Sequence, residues 1–291
     1  MSKTLYALGD CGGTQLREFI VDQEGAILAT SFTETDPNNY EGTVNTFADM
    51  ARQVAKKERG HIVAASMAVA AEVGKNGTLL QAGGLKPWVG KNPGKDIGVA
   101  LNLSGDLVGT PNDMAAVAIS QQYLNKKNGR PANGIVSTLS SGWGAALHDG
   151  KDMVQPDEPG HVFLRPGAEC PGGGDGHTEA WISGNGVLKN QGVTMKEWLE
   201  SPRNADTFVA DVSTSVVAML NRHEQATGFR PDEFRWMGGV AAHQQIIMMR
   251  ANNEASRQLG NLAPAFDAVT MGGQAGLHGT FVDAQQRALA A

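Results

Sequence analysis

Cysteine is nearly absent from the sequence: Cys11 and Cys170 are the only two in 291 residues, and they lie far apart. Two distant thiols make no disulfide framework, so a reducing compartment is expected. Long apolar runs are missing as well. No stretch approaches the roughly 20 apolar residues of a membrane span, and Ser2 to Asp10 lacks the apolar run of a signal peptide. The expectation is a cytoplasmic chain with no membrane partner. Blocks of positive charge are also wanting, the longest being Lys56-Lys57-Glu58-Arg59 within a net charge of -6. That short block reads as a solvated helix end, and nucleic acid is not expected as a partner.

Glycine is in excess. The 37 glycines of 291 residues are about 13% of the chain, against a usual level near 7%, and they fall in clusters, which implies tight turns and close backbone approaches. The length is enough for two α/β domains with a cleft. Thr4–Leu8, Leu16–Asp22 and Gly25–Phe32 read as strands, the first two joined by Gly9-Asp10-Cys11-Gly12-Gly13-Thr14. Tyr40–Lys57 has helical spacing through Val44, Phe47, Ala48, Ala51 and Val54, and His61–Val69 reads as a buried strand.

The glycine- and proline-rich stretch Gly83–Gly98 precedes a strand at Asp106–Gly109 and a helix from Met114 to Tyr123. Gly134–Leu139 and Ala145–His148 repeat the N-terminal hairpin plan around Ser140-Ser141-Gly142-Trp143-Gly144. Then come a helix at Asp206–His223, a strand at Glu233–Met237, a helix at Ala241–Met249, a strand at Ala268–Met271 and a helix at Leu277–Ala290.

Several constellations carry chemistry. In Asp10-Cys11-Gly12-Gly13-Thr14, glycines let backbone N–H groups approach phosphate oxygens, Thr14 adds a donor, and Asp10 can hold a hydrated Mg²⁺. Ser141, Gly142 and Gly144 repeat that chemistry, and Gly238-Gly239, running from strand into helix, can receive an adenine or ribose. Each turn serves equally as an ordinary connection. None matches the Gly-x4-Gly-Lys-Ser/Thr loop or the Gly-x-Gly-x-x-Gly dinucleotide turn. Asn112-Asp113 sets an amide beside a carboxylate, which suits either gripping and deprotonating a sugar hydroxyl or capping a helix. Glu158-Pro159-Gly160-His161 and Gly176-His177-Thr178-Glu179 add carboxylates and imidazoles on loops. His161, Cys170, Asp175 and His177 fall within 17 residues, a span that can hold tetrahedral zinc.

In this order the pieces resemble the ROK family (repressors, open reading frames, sugar kinases) over nearly the whole length. Asp10-Cys11-Gly12-Gly13-Thr14 resembles its Asp-x-Gly-Gly-Thr phosphate motif. Pro87-Trp88 followed by Asn112-Asp113-Met114-Ala115-Ala116 resembles its Trp-Gly stretch and Asn-Asp-x-x-Ala-Ala motif. Ser141-Gly142-Trp143-Gly144 stands for Thr-Gly-x-Gly, and Glu158-Pro159-Gly160-His161 is an intact Glu-x-Gly-His. Glu179 closes the cysteine segment, and Gly238-Gly239-Val240 and Ala275-Gly276-Leu277 match the C-terminal motifs.

The resemblance implies a two-lobed actin-like ATPase (ribonuclease H-like) α/β fold with an inter-lobe cleft. A small lobe is expected over 1–111, joined by the helix at about 281–291, and a large lobe over 112–280. It implies an ATP- and Mg²⁺-dependent hexose kinase, glucose at C6 being the expected substrate, and a homodimer. Asp113 is then the general base. Asn112, Glu158, His161 and Glu179 bind the sugar, and Asp10, Gly12, Gly13, Thr14, Ser141, Gly142, Gly144, Gly238 and Gly239 bind the nucleotide. Fructose, mannose, allose and N-acetylhexosamines, a polyphosphate donor, and a non-catalytic sugar sensor remain as alternatives.

A family repressor would carry a helix-turn-helix ahead of the phosphate motif, which here begins at residue 10. The chain departs from the family pattern at the zinc segment, where Cys170 keeps the first Cys, Gly172 replaces the second and His177 the third. A structural zinc would rest on His161, Cys170 and His177, with Asp175 or water as fourth ligand. Gln15 stands where Lys is common, and Ala71-Glu72 where Gly-Pro is common.

Overall fold

A computed structural model describes residues 2–130, 133–151 and 154–291. The chain forms two compact units, 1–123 with 274–291, and 124–273. The division falls inside the helix that begins at Asp113, rather than ahead of it at 112, and the C-terminal segment of the first unit begins at 274.

In the first unit the strands are β1 (Lys3–Cys11), β2 (Gln15–Asp22), β3 (Ile27–Glu34), β4 (Gly60–Val69), the small pair β5 (Glu72–Val73) and β6 (Leu79–Gln81), and β7 (Val108–Gly109). The helices are α1 (Tyr40–Glu58) and α2 (Pro93–Leu101), with α3 (Asp113–Lys127) belonging to this unit as far as Tyr123. The main sheet has the order β3-β2-β1-β4-β7, antiparallel from β1 outward to β3 and parallel from β1 through β4 to β7. β1 is apolar on both faces because both are covered. Leu5, Ala7 and Cys11 pack with Phe47 and Ala51 of α1 and Ile97 of α2. Tyr6 and Leu8 pack on the other side with Leu277, Phe281 and Ala284 of the C-terminal helix.

Asn39 starts α1, its side chain accepting the Gly42 N–H at 3.0 Å, and Arg59 ends it with φ 53°. Helix α2, which the sequence did not announce, begins inside the Gly83–Gly98 stretch and ends at Leu101. Pro93 occupies its first turn and the Asn92 side chain accepts the Lys95 N–H, so residues that read as breakers open a helix. Of the strand expected at Asp106–Gly109 only Val108–Gly109 is extended, after a 3₁₀ turn at Gly105–Leu107.

The second unit repeats the sheet plan. β8 (Gly134–Leu139), β9 (Trp143–His148) and β10 (Val154–Asp157) are antiparallel, and β11 (Glu233–Met237) and β12 (Ala265–Ala268) run parallel to β8, in the order β10-β9-β8-β11-β12. Its helices are α4 (Thr178–Ile182), α5 (Gly184–Gln191), α6 (Met195–Leu199), α7 (Pro202–Thr227), α8 (Gly239–His243) and α9 (Gln245–Leu259). Phe208, Val212, Val216 and Leu220 of α7 pack on Ile135, Leu147 and Phe234. The helix expected at Ala241–Met249 is broken at Gln244, which ends α8 and precedes α9. The last strand lies three residues before its expected place at Ala268–Met271. The final helix, α10 (Ala275–Ala290), belongs to the first unit. No helix among the described residues is long and apolar enough to cross a membrane.

Candidate functional site

In the first unit the β1–β2 turn is tied down by backbone. The Gly12 N–H donates to the Gln15 carbonyl at 3.0 Å, and the Thr14 carbonyl accepts the Thr35 N–H at 3.1 Å. A Cβ on Gly13 would lie 2.9 Å from the Gly84 Cα, so this turn requires glycine for close approach. Asp10 and Arg17 oppose one another in the antiparallel register and so share a face. Their side chains, 38% and 50% exposed, stand 3.7 Å apart.

At the end of β4, Val69 donates its N–H to the Pro111 carbonyl and brings Asn112 into a parallel bridge. Asn112 caps α3. Its Oδ1 accepts the Met114 N–H at 2.9 Å and the Ala115 N–H at 3.2 Å, and its Nδ2 donates to the Ala71 carbonyl at 3.0 Å. The capping role thus falls to Asn112, and Asp113 becomes the first helical residue with its Oδ1 accepting the Met114 N–H at 2.9 Å. Burial pushes the Asp113 carboxyl up to about 6; the Met114 N–H opposes this and the nearby Asp10 charge adds to it. Burial raises Asp10 too, against the opposing pull of Arg17. A carboxylate whose pKa has moved toward neutrality is a stronger base than a free one.

In the second unit two turns that carry expected site residues approach Glu179, in the first turn of α4. Its Oε2 accepts the Trp143 N–H at 2.9 Å. A Cβ on Gly142 or on Gly160 would lie 2.9 Å from that oxygen, so the Ser141-Gly142 turn and the Glu158–His161 turn both close around one carboxylate. The Gly184 and Asn185 N–H groups of α5 donate to the Ser140 and Ser141 carbonyls at 2.7 and 3.0 Å. Gly238 has φ 96°, and a Cβ there would meet the Leu139 carbonyl oxygen at 2.6 Å. Gly238-Gly239 therefore lies against the end of β8, beside the Ser140 turn. Glu158 is exposed ahead of the 3₁₀ turn Pro159–His161.

His161, Cys170 and His177 come together, their ligand atoms within 4.8 Å of one another, with Cys170 Sγ 3.6 Å from His161 Nδ1. Two imidazoles and a thiol are donors that zinc accepts, and the buried His177 Nδ1 has no hydrogen-bond partner among the described residues. These three fit zinc as a partial set. Asp175 does not complete it, because both its carboxylate oxygens take the Gly167 N–H at 3.3 Å. A Cβ at Gly172 would lie 2.5 Å from the His161 Cε1, so a side chain there would have to displace the exposed His161 ring.

Two contributors went unread in the sequence, Gly84 behind Gly13 and Arg17 beside Asp10. The Gly83-Gly84 pair signals the first. The second follows from pairing β1 with β2 in register, since it places Arg17 across from Asp10.

No curated protein matches the chain. Among solved structures, the ROK hexokinase from Thermus thermophilus superposes with a TM-score of 0.78 at 18% identity, covering 99% of this chain and 100% of that one. The ROK family glucokinase from Streptomyces griseus, in complex with glucose and AMPPNP, gives 0.71 at 23% identity, covering 97% and 99%. A ROK family transcriptional regulator, a homolog of the E. coli MLC protein, gives 0.76 at 15% identity, covering 99% of this chain and 82% of that one. Identities this low carry the fold, which is the actin-like ATPase fold built on two mixed sheets. The model of the ROK family matches residues 7–287, and with the motif order and both sheets in agreement, the chain belongs to the ROK family.

Proposed function

We propose that this chain is an ATP-dependent kinase of a small sugar, a hexose with glucose as the first candidate, and that Asp113 is its general base. The observation that carries the reading is the division of labour at the start of α3. Asn112 takes the cap, leaving a carboxyl held near pKa 6 to accept a proton. In the first unit, Gly13 and Thr14 offer backbone and hydroxyl donors to the phosphates of Mg²⁺-ATP, Gly12, its N–H held by the Gln15 carbonyl, shapes the turn beneath them, and Asp10 would hold the hydrated metal ion. In the second, Ser141, Gly142 and Gly144 do the same, and Gly238-Gly239 serves the adenosine. Glu158, His161 and Glu179 accept or donate to sugar hydroxyls, and Asn112, whose side chain also bonds the Ala71 carbonyl and Asp113, borders the same sugar. Bound zinc would supply rigidity to the His161 loop through His161, Cys170 and His177, and no proton or phosphoryl movement passes through it.

The sugar hydroxyl gives its proton to Asp113 as its oxygen attacks the terminal phosphorus. The resemblance adds a cytoplasmic homodimer to this reading. A screen of ADP release over a dozen sugars tests it. Release with one hexose or a few is the expected result; measurable sugar binding with no ADP release from any sugar would make the chain a sensor instead.

A further inference from the structure

We propose that Arg17 is the cation that binds the oxygens of the donor's terminal phosphoryl group during its transfer to the sugar, and that Gln15 positions it; this rests on the kinase reading. Strand periodicity puts Gln15 and Arg17 on one face of β2, both exposed, while Leu16 and Glu18 turn inward at 1% exposure each. Arg17 opposes Asp10 in the register, at the strand end where Gly12, Gly13 and Thr14 turn. Its guanidinium is held at one point: Nε donates to Gln15 Oε1 at 3.1 Å. Its only other partner among the described residues is Asp10, at 3.7 Å from Nη1. That distance is too long for a hydrogen bond, so most of the five N–H donors stay available.

The charge balance calls for such a group. The Asp10 charge raises Asp113, and Arg17 is the cation among the described residues that lowers Asp10. A triphosphate entering beside two carboxylates needs donors that follow its charge as it shifts. A planar fork matches phosphate oxygens in a way a single ammonium does not. Gln15 stands where a Lys was expected, and the positive charge is present one strand period further along the same face. In the transfer, the sugar oxygen bonds to the terminal phosphorus as the bond to the bridging oxygen breaks. The proton passes to Asp113 and ADP leaves with the electron pair, while Arg17 holds the equatorial oxygens.

The test uses the full chain with Arg17→Met, Arg17→Lys and Gln15→Ala. Calorimetric titration with Mg²⁺-AMPPNP and with Mg²⁺-ADP is set beside sugar-dependent ADP release. Arg17→Met should lose about 100-fold or more in kcat. It should also lose roughly 10-fold in AMPPNP affinity, with ADP affinity changed by less than about 2-fold. Arg17→Lys should recover part of both losses. Gln15→Ala keeps the charge but frees the fork, so kcat should fall by about 5-fold with the sugar KM unmoved. Wild-type kcat together with a wild-type ratio of AMPPNP to ADP affinity in Arg17→Met would overturn the inference. A wild-type chain that binds AMPPNP yet releases ADP with no sugar would sink the kinase reading separately, because the affinity ratio still decides whether Arg17 meets the terminal phosphate.

Discussion

The acidic group of the first unit and the histidine-rich group of the second are built by opposite means. Asp10, Arg17 and Asp113 stand on the ends of regular elements, so strand register and one helix cap fix their places. Glu179, His161, Cys170 and His177 are gathered by irregular backbone, where glycines at 142, 160 and 172 admit side chains that a Cβ would crowd. Charge dominates the first group: two carboxylates are pushed upward by burial. Close packing dominates the second. The first arrangement suits chemistry that moves a proton, and the second suits holding a shape.

The sharpest way to break this comparison is to remove the carboxyl proposed as the base, Asp113. Asp113→Asn keeps an acceptor for the Met114 N–H and so keeps the helix start, but it takes no proton. A loss of about 10²- to 10⁴-fold in kcat, with little change in sugar affinity, is expected. In the wild-type chain a base with pKa about 6 makes log kcat/KM climb with unit slope as pH rises toward 6, then level off above it. A variant with full kcat, or a profile flat from pH 5 to 8, would remove the distinction between the two groups.

Much of the regular half was legible in the sequence, because Val44, Phe47, Ala48 and Ala51 mark a helical stripe and the α3 cap lies in Asn112-Asp113. What escaped is instructive. Helix α2 was hidden by its own glycines: Gly94 and Gly98 read as breakers, yet a Cβ there would meet the Thr110 hydroxyl at 3.1 Å and the Leu103 carbonyl at 3.2 Å. They are packing sites, a property of tertiary contact alone. The convergence on Glu179 could be named as a motif but not placed, since loop geometry has no period. Arg17 looked like any exposed charge on a strand until its partner across the register was known.

A second difference can be sharpened through Glu18, which lies in the first unit on the inward face of β2. It is 1% exposed, and the Ser31 hydroxyl across the strand pair is the donor that bears on its carboxylate. Burial raises it from 4.5 to about 7, with the nearby Ser31 hydroxyl opposing. The folded-state pKa lies above the unfolded one, so its contribution is complete below pH 4.5 and is lost as pH rises through about 7. The loss is on the order of 3 kcal/mol. Glu18→Gln should abolish that part of the slope, leaving the smaller one due to Asp113. Urea unfolding at pH 5 and pH 7.5 reads the difference between the two proteins, and equal slopes would show that Glu18 does not carry this charge penalty.

The smallest effect should come from the metal. A closed four-ligand zinc site contributes folding energy outright, but here three donors meet while Asp175 is occupied by the Gly167 N–H. The loop already has supports of its own: the Cys170 N–H donates to the Gly174 carbonyl at 2.9 Å, the Gly173 N–H to the Cys170 carbonyl at 3.0 Å, and the Thr178 N–H to the Val162 carbonyl at 2.8 Å. A chelator should therefore lower Tm by only about 2–4 °C, corresponding to roughly 1 kcal/mol, and His177→Ala should reduce the zinc retained after dialysis without unfolding the protein. Global unfolding on chelation would mean that the second unit depends on its metal as strongly as the first depends on its charges. In that case the contrast between a group that works and a group that holds would have to be drawn inside the second unit instead.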